Sequence, residues 1–225
     1  MVAMKVKDII YLVSVLLLSG CMAEDRGPEI PDSYAPKTVD AVVTVKQDTD
    51  GTVFFQLTDD QRLFPGNDYP FTRQMRAWGS LTIFAEEVPL YGYKVGVNWL
   101  EPLDEGSFVS SAPTLQTASG IDPNIISWAT SVQDGYLTIL YQAWWGDPAG
   151  HHDFYLYAKD KSNPYSLTLL HDSHEDPADN YNEAIICFDI NSLPPTGDEY
   201  KPLTLHWTST QGKEEAAQFE FKSRK

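Results

Sequence analysis

The residues best equipped for chemistry lie in one run, His171-Asp172-Ser173-His174-Glu175-Asp176, with Asp179 just beyond it and His151-His152 earlier in the chain. Imidazole and carboxylate side chains are the donors that zinc and other divalent ions take. His171, His174 and Asp176 are therefore the candidate metal ligands, and a metal-dependent hydrolase centred on this loop is one functional expectation. The spacing matches no metalloprotease helix, since HExxH does not occur. The alternative is a solvated hairpin loop, with His171 bonded to backbone at a strand end. No cofactor is expected beyond that candidate divalent metal.

Aromatic residues form a second set. Adjacent strand residues point to opposite faces, so one of Trp144 and Trp145 should enter a core and the other should face outward. With Tyr136 and Tyr155, and Tyr157 beside them, they are the candidate ligand-binding platform. Sugar rings stack on such surfaces, and protein partners use Trp and Tyr as anchors. No catalytic residue is identified. The chain has no G-x-S-x-G, no P-loop and no dinucleotide fingerprint, and Glu86-Glu87 and Glu214-Glu215 read as surface charge. The expected task is accordingly binding rather than catalysis.

These residues must be carried by strands. From Val39 the apolar positions repeat every second residue, the mark of half-buried strands. Val39, Ala41, Val43 and Val45 share one face, and Asp48-Thr49-Asp50-Gly51 turns the chain toward Val53, Phe55 and Leu57. Leu81, Ile83 and Ala85 mark another strand. Tyr91, Tyr93, Val95, Val97 and Trp99 share a face of the next, where Gly92 and Gly96 suggest the bulges and coiling of a small closed barrel. The pattern breaks between Glu101 and Pro113, and a domain boundary is placed near residue 112. Beyond it come strands at Ile125 to Ser131, Leu137 to Trp145, His152 to Ala158, Leu167 to Leu169, Ala184 to Ile190, Leu203 to Trp207 and Phe219 to Phe221. This spacing suggests a two-sheet antiparallel sandwich of Ig-like type. Cys187, in an apolar run, reads as a buried, inert thiol.

The start of the chain is of another kind. Lys5 and Lys7 precede an apolar run from Ile9 to Leu18. About ten apolar residues suit a signal-peptide core, whereas a bilayer-spanning helix needs about twenty. The run ends in Leu18-Ser19-Gly20-Cys21, which resembles the lipobox of bacterial lipoproteins. Cys21 is the expected lipidation site, with residues 1–20 removed, and buried acyl chains contribute about 0.8 kcal/mol per methylene toward holding the protein on a membrane. Residues 21–37 read as a flexible tether. Met22-Ala23-Glu24-Asp25 lacks an inner-membrane retention signal and resembles surface-export signals of Bacteroidetes lipoproteins, so the expected address is the outer membrane and the cell surface. With Lys5, Lys7 and Asp8 gone, 14 basic and 31 acidic residues remain, a net of −17. That balance offers no basic patch for a phosphate backbone, so nucleic acid is not an expected partner.

In sum the chain resembles the NigD-like lipoproteins of Bacteroidetes. The likeness rests on the lipobox, on Gly51-Thr52-Val53-Phe54-Phe55-Gln56-Leu57 with Leu63 and Pro65, and on Tyr93-Lys94-Val95-Gly96-Val97-Asn98. In the second half it rests on His152-Asp153-Phe154-Tyr155-Leu156, Leu169-Leu170-His171-Asp172 and Phe188-Asp189-Ile190. The resemblance implies an OB-type barrel over 38–112 and a β-sandwich over 113–225. It carries no catalytic residues over, and its link to bacteriocin immunity rests on gene neighbourhood. The expectation is thus an all-β, lipid-anchored envelope protein that binds a protein or glycan partner, with bacteriocin immunity as the alternative.

Overall fold

A computed structural model describes residues 36–66, 69–89, 92–115, 123–125, 129–146, 151–177 and 179–224. The expected leader, the expected lipidation site Cys21 and residues 21–35 of the expected tether lie outside the described residues. Contacts divide the chain into two units, one ending at Leu103 and the other starting at Asp104.

The first unit contains β1 (Lys37–Gln47), β2 (Val53–Gln56), β3 (Arg62–Pro65), β4 (Met75–Val88) and β5 (Gly92–Pro102). They close into a barrel in the order β1-β2-β3-β5-β4, with β3 and β5 parallel and the other joins antiparallel. This is the five-stranded Greek-key barrel of the OB type. The alternating run of β1 behaves as its pattern demands, with Ala41, Val43 and Val45 buried against Phe55, Leu63, Ala77, Leu81 and Val95. Closure leaves no open sheet edge, so the barrel needs no partner to satisfy its ladder hydrogen bonds. Gly51 has φ 91° in the turn after β1, where the Gly51 amide donates to the Asp48 carbonyl at 3.0 Å. The short β3 has too few residues to show a period. It is folded back on β2 by the buried amide of Gln56, which donates to the carbonyls of Thr58 at 2.7 Å and Gln61 at 3.3 Å.

One strand departs from its expected facing. Ser80 pairs with Trp99 but Leu81 pairs with Val97, so Asn98 is an extra residue in β5. Val95 stays in the core while Trp99, expected on the same face, is exposed. A bulge advances the register by one residue and so flips every side chain beyond it.

The second unit contains β6 (Asp104–Glu105), β7 (Ser107–Phe108), β8 (Asn124–Ile125), β9 (Ser131–Gln133), β10 (Tyr136–Trp145), β11 (Asp153–Ala158), β12 (Ser166–Asp172), β13 (Asn180–Asp189), β14 (Lys201–Thr208) and β15 (Glu214–Phe221). One sheet runs β6-β13-β10-β8 with β9 also on β10; the other runs β15-β14-β12-β11-β7. Their inner faces bury Leu137, Ile139, Leu156, Leu167, Phe188, Leu203, Leu205 and Phe221, at about 1.5–3 kcal/mol for each large side chain. Cys187 is buried, as its apolar surroundings imply.

The sandwich is not purely antiparallel. β6 with β13, β7 with β11 and β12 with β14 run parallel. The chain leaves β12 for the other sheet, forms β13 there, and returns beside β12 in the same direction. β6 and β7 lie within Glu101–Pro113, which carries no strand pattern. They pair with sandwich strands, so the contact boundary falls between Leu103 and Asp104 rather than near residue 112. The chain passes from one sheet to the other at Gly106, whose missing side chain leaves room for the Phe188 ring (an added Cβ would lie 2.3 Å from it). Of the strand expected at Ile125 to Ser131, the described residues show the ends of β8 and the start of β9, and 126–128 lie outside them.

Candidate functional site

Four of the five histidines, His151, His152, His171 and His174, gather at one end of the sandwich, on both sides of β11, while His206 on β14 bonds to Ser166 instead. Alternation along β11 and its approach puts His152, Phe154 and Leu156 on the buried side and leaves Asp153, Tyr155 and Tyr157 half-buried on the outer side. Antiparallel pairing sets Phe154 opposite His171 and Asp153 opposite Asp172. Two histidine pairs result, each organised by one carboxylate.

On the inner side the rings form a stack. Trp145 lies on His152 with centroids 3.8 Å apart, and Phe154 lies on His171 at 4.5 Å. His152 Nδ1 and His171 Nε2 are 2.8 Å apart, and His152 Nε2 is 3.1 Å from Asp176 Oδ2. A carboxylate accepts only, so neutral His152 carries its proton on Nε2 and its Nδ1 accepts from His171 Nε2–H. The same Asp176 oxygen accepts the Gly146 amide at 2.7 Å. Gly146 is required there, because an added Cβ would fall 2.4 Å from Pro177 Cγ and 2.5 Å from the Pro177 carbonyl oxygen. Burial holds His152 below the ordinary imidazole range, against the opposing pull of Asp176.

On the outer side Asp153 accepts from His151 Nε2 and His174 Nε2, both at 2.8 Å, and from the Tyr155 hydroxyl at 3.3 Å. The bond to Asp153 raises His174 above its ordinary value. Burial pushes Asp153 upward, but the bonds from His174 and His151 outweigh it and hold the carboxyl low. The segment from Ser173 to Asp179 is an arch between the two sheets, joining β12 to β13, and not a hairpin within one sheet. Its tip holds two successive left-handed residues, His174 (φ 52°) and Glu175 (φ 63°). Each such residue costs about 1–2 kcal/mol. The His174 amide donates to Asp172 Oδ1 at 3.0 Å and the Asp176 amide to the Ser173 carbonyl at 3.0 Å, and these bonds hold the arch.

The expected metal set of His171, His174 and Asp176 is therefore divided. His171 and Asp176 meet on the inner side only through His152, and His174 belongs to the outer cluster. Among the described residues, no three His, Cys, Asp or Glu side chains are placed to hold a metal ion. His171 contacts another imidazole rather than the strand-end backbone. What this arrangement does is fasten the arch and the segment at Gly146 to the end of the sandwich.

The four aromatic candidates are divided too. Trp145 packs against the core. Tyr136 is buried beneath the Arg224 guanidinium, 4.6 Å from its ring. Tyr155 is on the outer face of the sheet opposite to that of Trp144, so the two cannot share a platform. Trp144 does face outward, as one of the indole pair must. Its neighbour is Tyr181, directly across on β13 with ring centroids 5.1 Å apart. Tyr181 is exposed, and its hydroxyl donates to Gln142 Oε1 at 3.4 Å, while Gln142 Nε2 donates to Glu183 Oε2 at 3.3 Å. Tyr181 carries no signal in the sequence, because only the β10–β13 register brings it beside Trp144.

The comparisons with known proteins agree with this architecture. A candidate toxin-related protein from Parabacteroides distasonis shares the fold at 23% identity and TM-score 0.67, over 83% of this chain and 94% of that one. A protein named as a candidate lipoprotein from Bacteroides fragilis matches at 15% identity and TM-score 0.59, over 84% of this chain and 100% of that one. A NigD-like immunity protein from Bacteroides caccae matches at 14% identity and TM-score 0.54, over 82% of this chain and 94% of that one. No curated protein matches the chain. The description "NigD-like C-terminal beta sandwich domain" fits residues 107–221, from β7 through β15, and by that match the chain belongs to the NigD-like family.

Proposed function

We propose that this protein is a lipid-anchored binding module of the bacterial cell envelope, held by acyl chains on Cys21 and engaging a protein or glycan partner without a catalytic step. The observation that carries this reading is the outward-facing pair of half-buried Trp144 and exposed Tyr181 on the outer face of β10 and β13, flanked by Gln142 and Glu183. Large aromatics held outside a core are the usual anchors of a binding surface. By contrast, His151, His152, His171 and His174 are bonded to one another or to Asp153 and Asp176 and serve the arch. The leader ending at Cys21 and the fold shared with a candidate lipoprotein of B. fragilis support the envelope address, and we place the anchor in the outer membrane.

Affinity capture from outer-membrane extracts, with the full chain as bait, tests the reading. A partner should be retained by the native chain and lost by Trp144→Ala and Tyr181→Ala. Capture that is indifferent to both variants would overturn the role of this face. Acyl labelling should be abolished by Cys21→Ser, and a native chain that takes no label would remove the anchor. A second reading, protection against a bacteriocin, is favoured by the shared fold with a NigD-like immunity protein of B. caccae. It predicts that deletion of the gene sensitises the cell to a toxin from a related strain.

A further inference from the structure

The barrel carries a second aromatic pair, built differently from that of the sandwich. Trp78 on β4 and Trp99 on β5 are 39% and 40% exposed, with ring centroids 5.2 Å apart and planes at 89°. An edge-to-face pair of this kind presents the flat face of one indole beside the edge of the other. Along the same outer face runs a row of neutral hydrogen-bonding groups. Asn98 Nδ2 donates to Thr82 Oγ1 at 3.1 Å and to Ser80 Oγ at 3.4 Å, and Thr82 Oγ1 lies 3.1 Å from Thr38 Oγ1. Asp40, paired with Ser80, and Glu101, paired with Trp78, stand at the borders in exposed positions.

Two local devices put Trp99 there. The extra residue Asn98 places Asn98 and Trp99 in succession on the outer face; without it Trp99 would follow Val95 and Val97 toward the core. Gly79 permits the close approach of β5 that this requires, since an added Cβ would lie 2.3 Å from the Trp99 carbonyl oxygen and 2.8 Å from Leu100 Cα. Bulges that re-aim a side chain are found next to functional sites. Two adjacent indoles that each keep about two-fifths of their surface in water form a contiguous apolar patch, the kind of surface a partner covers.

We propose that this outer face of β1, β4 and β5 is a carbohydrate-binding platform for a neutral oligosaccharide. The inference rests on the reading of the protein as a binding module, and names the ligand class for the barrel. A pyranose ring has an apolar C–H face that lies on an indole, and a rim of hydroxyls that both donate and accept. Ser80 is buried and holds the Asn98 amide from beneath; the amide of Asn98 and the hydroxyls of Thr82 and Thr38 match that rim in both senses, and the carboxylates of Asp40 and Glu101 accept from hydroxyls while repelling anions. Charge complementarity thus selects an uncharged, hydroxyl-rich ligand. It opposes nucleic acid and acidic polysaccharides, as does the net charge of −16. OB-type barrels are known to take oligosaccharides on the face of their second and third strands; here the aromatic pair lies on the fourth and fifth.

The test uses the full chain in detergent against an array of neutral oligosaccharides (linear glucans, mannans, xylans and galactans), with polygalacturonate as the anionic control, followed by isothermal titration of the best binder. At least one neutral chain should bind and quench indole fluorescence. Trp99→Ala and Trp78→Ala should each weaken it about tenfold or more, and Trp99→Phe, which keeps an aromatic face, should retain part of the affinity. Thermal midpoints of the variants separate lost binding from lost folding. Tyr200→Ala, which removes an exposed aromatic of the sandwich outside both aromatic pairs, should leave the affinity unchanged. If no neutral glycan binds, if polygalacturonate binds better, or if binding survives both tryptophan variants, the proposal is overturned. A protein whose capture depends on Trp99 would overturn the glycan assignment while leaving the binding module intact, and a failure of the Trp144–Tyr181 capture alone would leave the glycan result standing.

Discussion

The Asp176 carboxylate should be worth more to the sandwich than an ordinary loop residue, and replacing it by alanine measures how much. Its Oδ2 accepts the Gly146 amide at 2.7 Å and His152 Nε2 at 3.1 Å, and its side chain is 8% exposed. Hydrogen bonds to a charged group contribute about 1.5–3 kcal/mol each, and a buried donor left without an acceptor costs a similar amount. Asp176→Ala leaves two such donors, one of them on a fully buried imidazole. Water entering the vacated space and relaxation of the arch offset part of that, so the net loss should be about 3 kcal/mol. For a unit of this size that corresponds to a fall of about 10 °C in the melting midpoint. Asp176→Asn keeps one accepting oxygen without the charge and should lose about half as much. Urea unfolding followed by indole fluorescence is the assay, since Trp145 stacks on His152 and reports on this end of the sandwich. A change under about 0.5 kcal/mol for Asp176→Ala, the range of an ordinary surface substitution, would refute the reasoning.

Two further outcomes follow from the same geometry. Burial holds His152 below its ordinary value of 6.5, so the unfolded chain takes up a proton before the native one does; the stability this group supports is present above about pH 6.5 and is lost as pH falls through its lower native value. His174 is raised, so its contribution runs the other way, present at low pH and lost as pH rises through its native value. Urea midpoints should therefore decline below about pH 6.5, less steeply in His152→Phe and more steeply in His174→Ala, and parallel profiles in all three proteins would contradict the assignment. At the C-terminus, Arg224 Nε donates to the Asp134 carbonyl at 2.8 Å, Nη2 lies 3.3 Å from Asp189 Oδ2, and the guanidinium covers the Tyr136 ring. Arg224→Ala should cost about 2 kcal/mol and expose Tyr136 to solvent, as read by urea unfolding and by tyrosine accessibility to nitration.

Much of the fold was legible because strands are local. The alternation of Val39 to Val45 and of Leu137 to Ala143 names their buried faces without knowledge of any partner. The turn at Gly51 required only its own positive φ. The opposite facing of Trp144 and Trp145 follows from the period of two alone. Expectations that needed knowledge of a neighbour fared differently. Tyr155 and Trp144 lie on different sheets, and Tyr136 is covered by a residue from the far end of the chain. His152 and His171 meet through the β11–β12 register, and Asp176 reaches His152 through an arch.

The sequence by itself determined an all-β chain, its acidic charge, the strands that bury each face, and the Leu18–Cys21 signature. Tertiary structure alone decided which strands are neighbours, and with that which histidines share protons and which aromatics share a surface. The reason is physical: a side chain's facing is set by its own backbone period, whereas its company is set by register and closure. One extra residue at Asn98 turns Trp99 from the barrel's interior to its surface, and no local pattern records that.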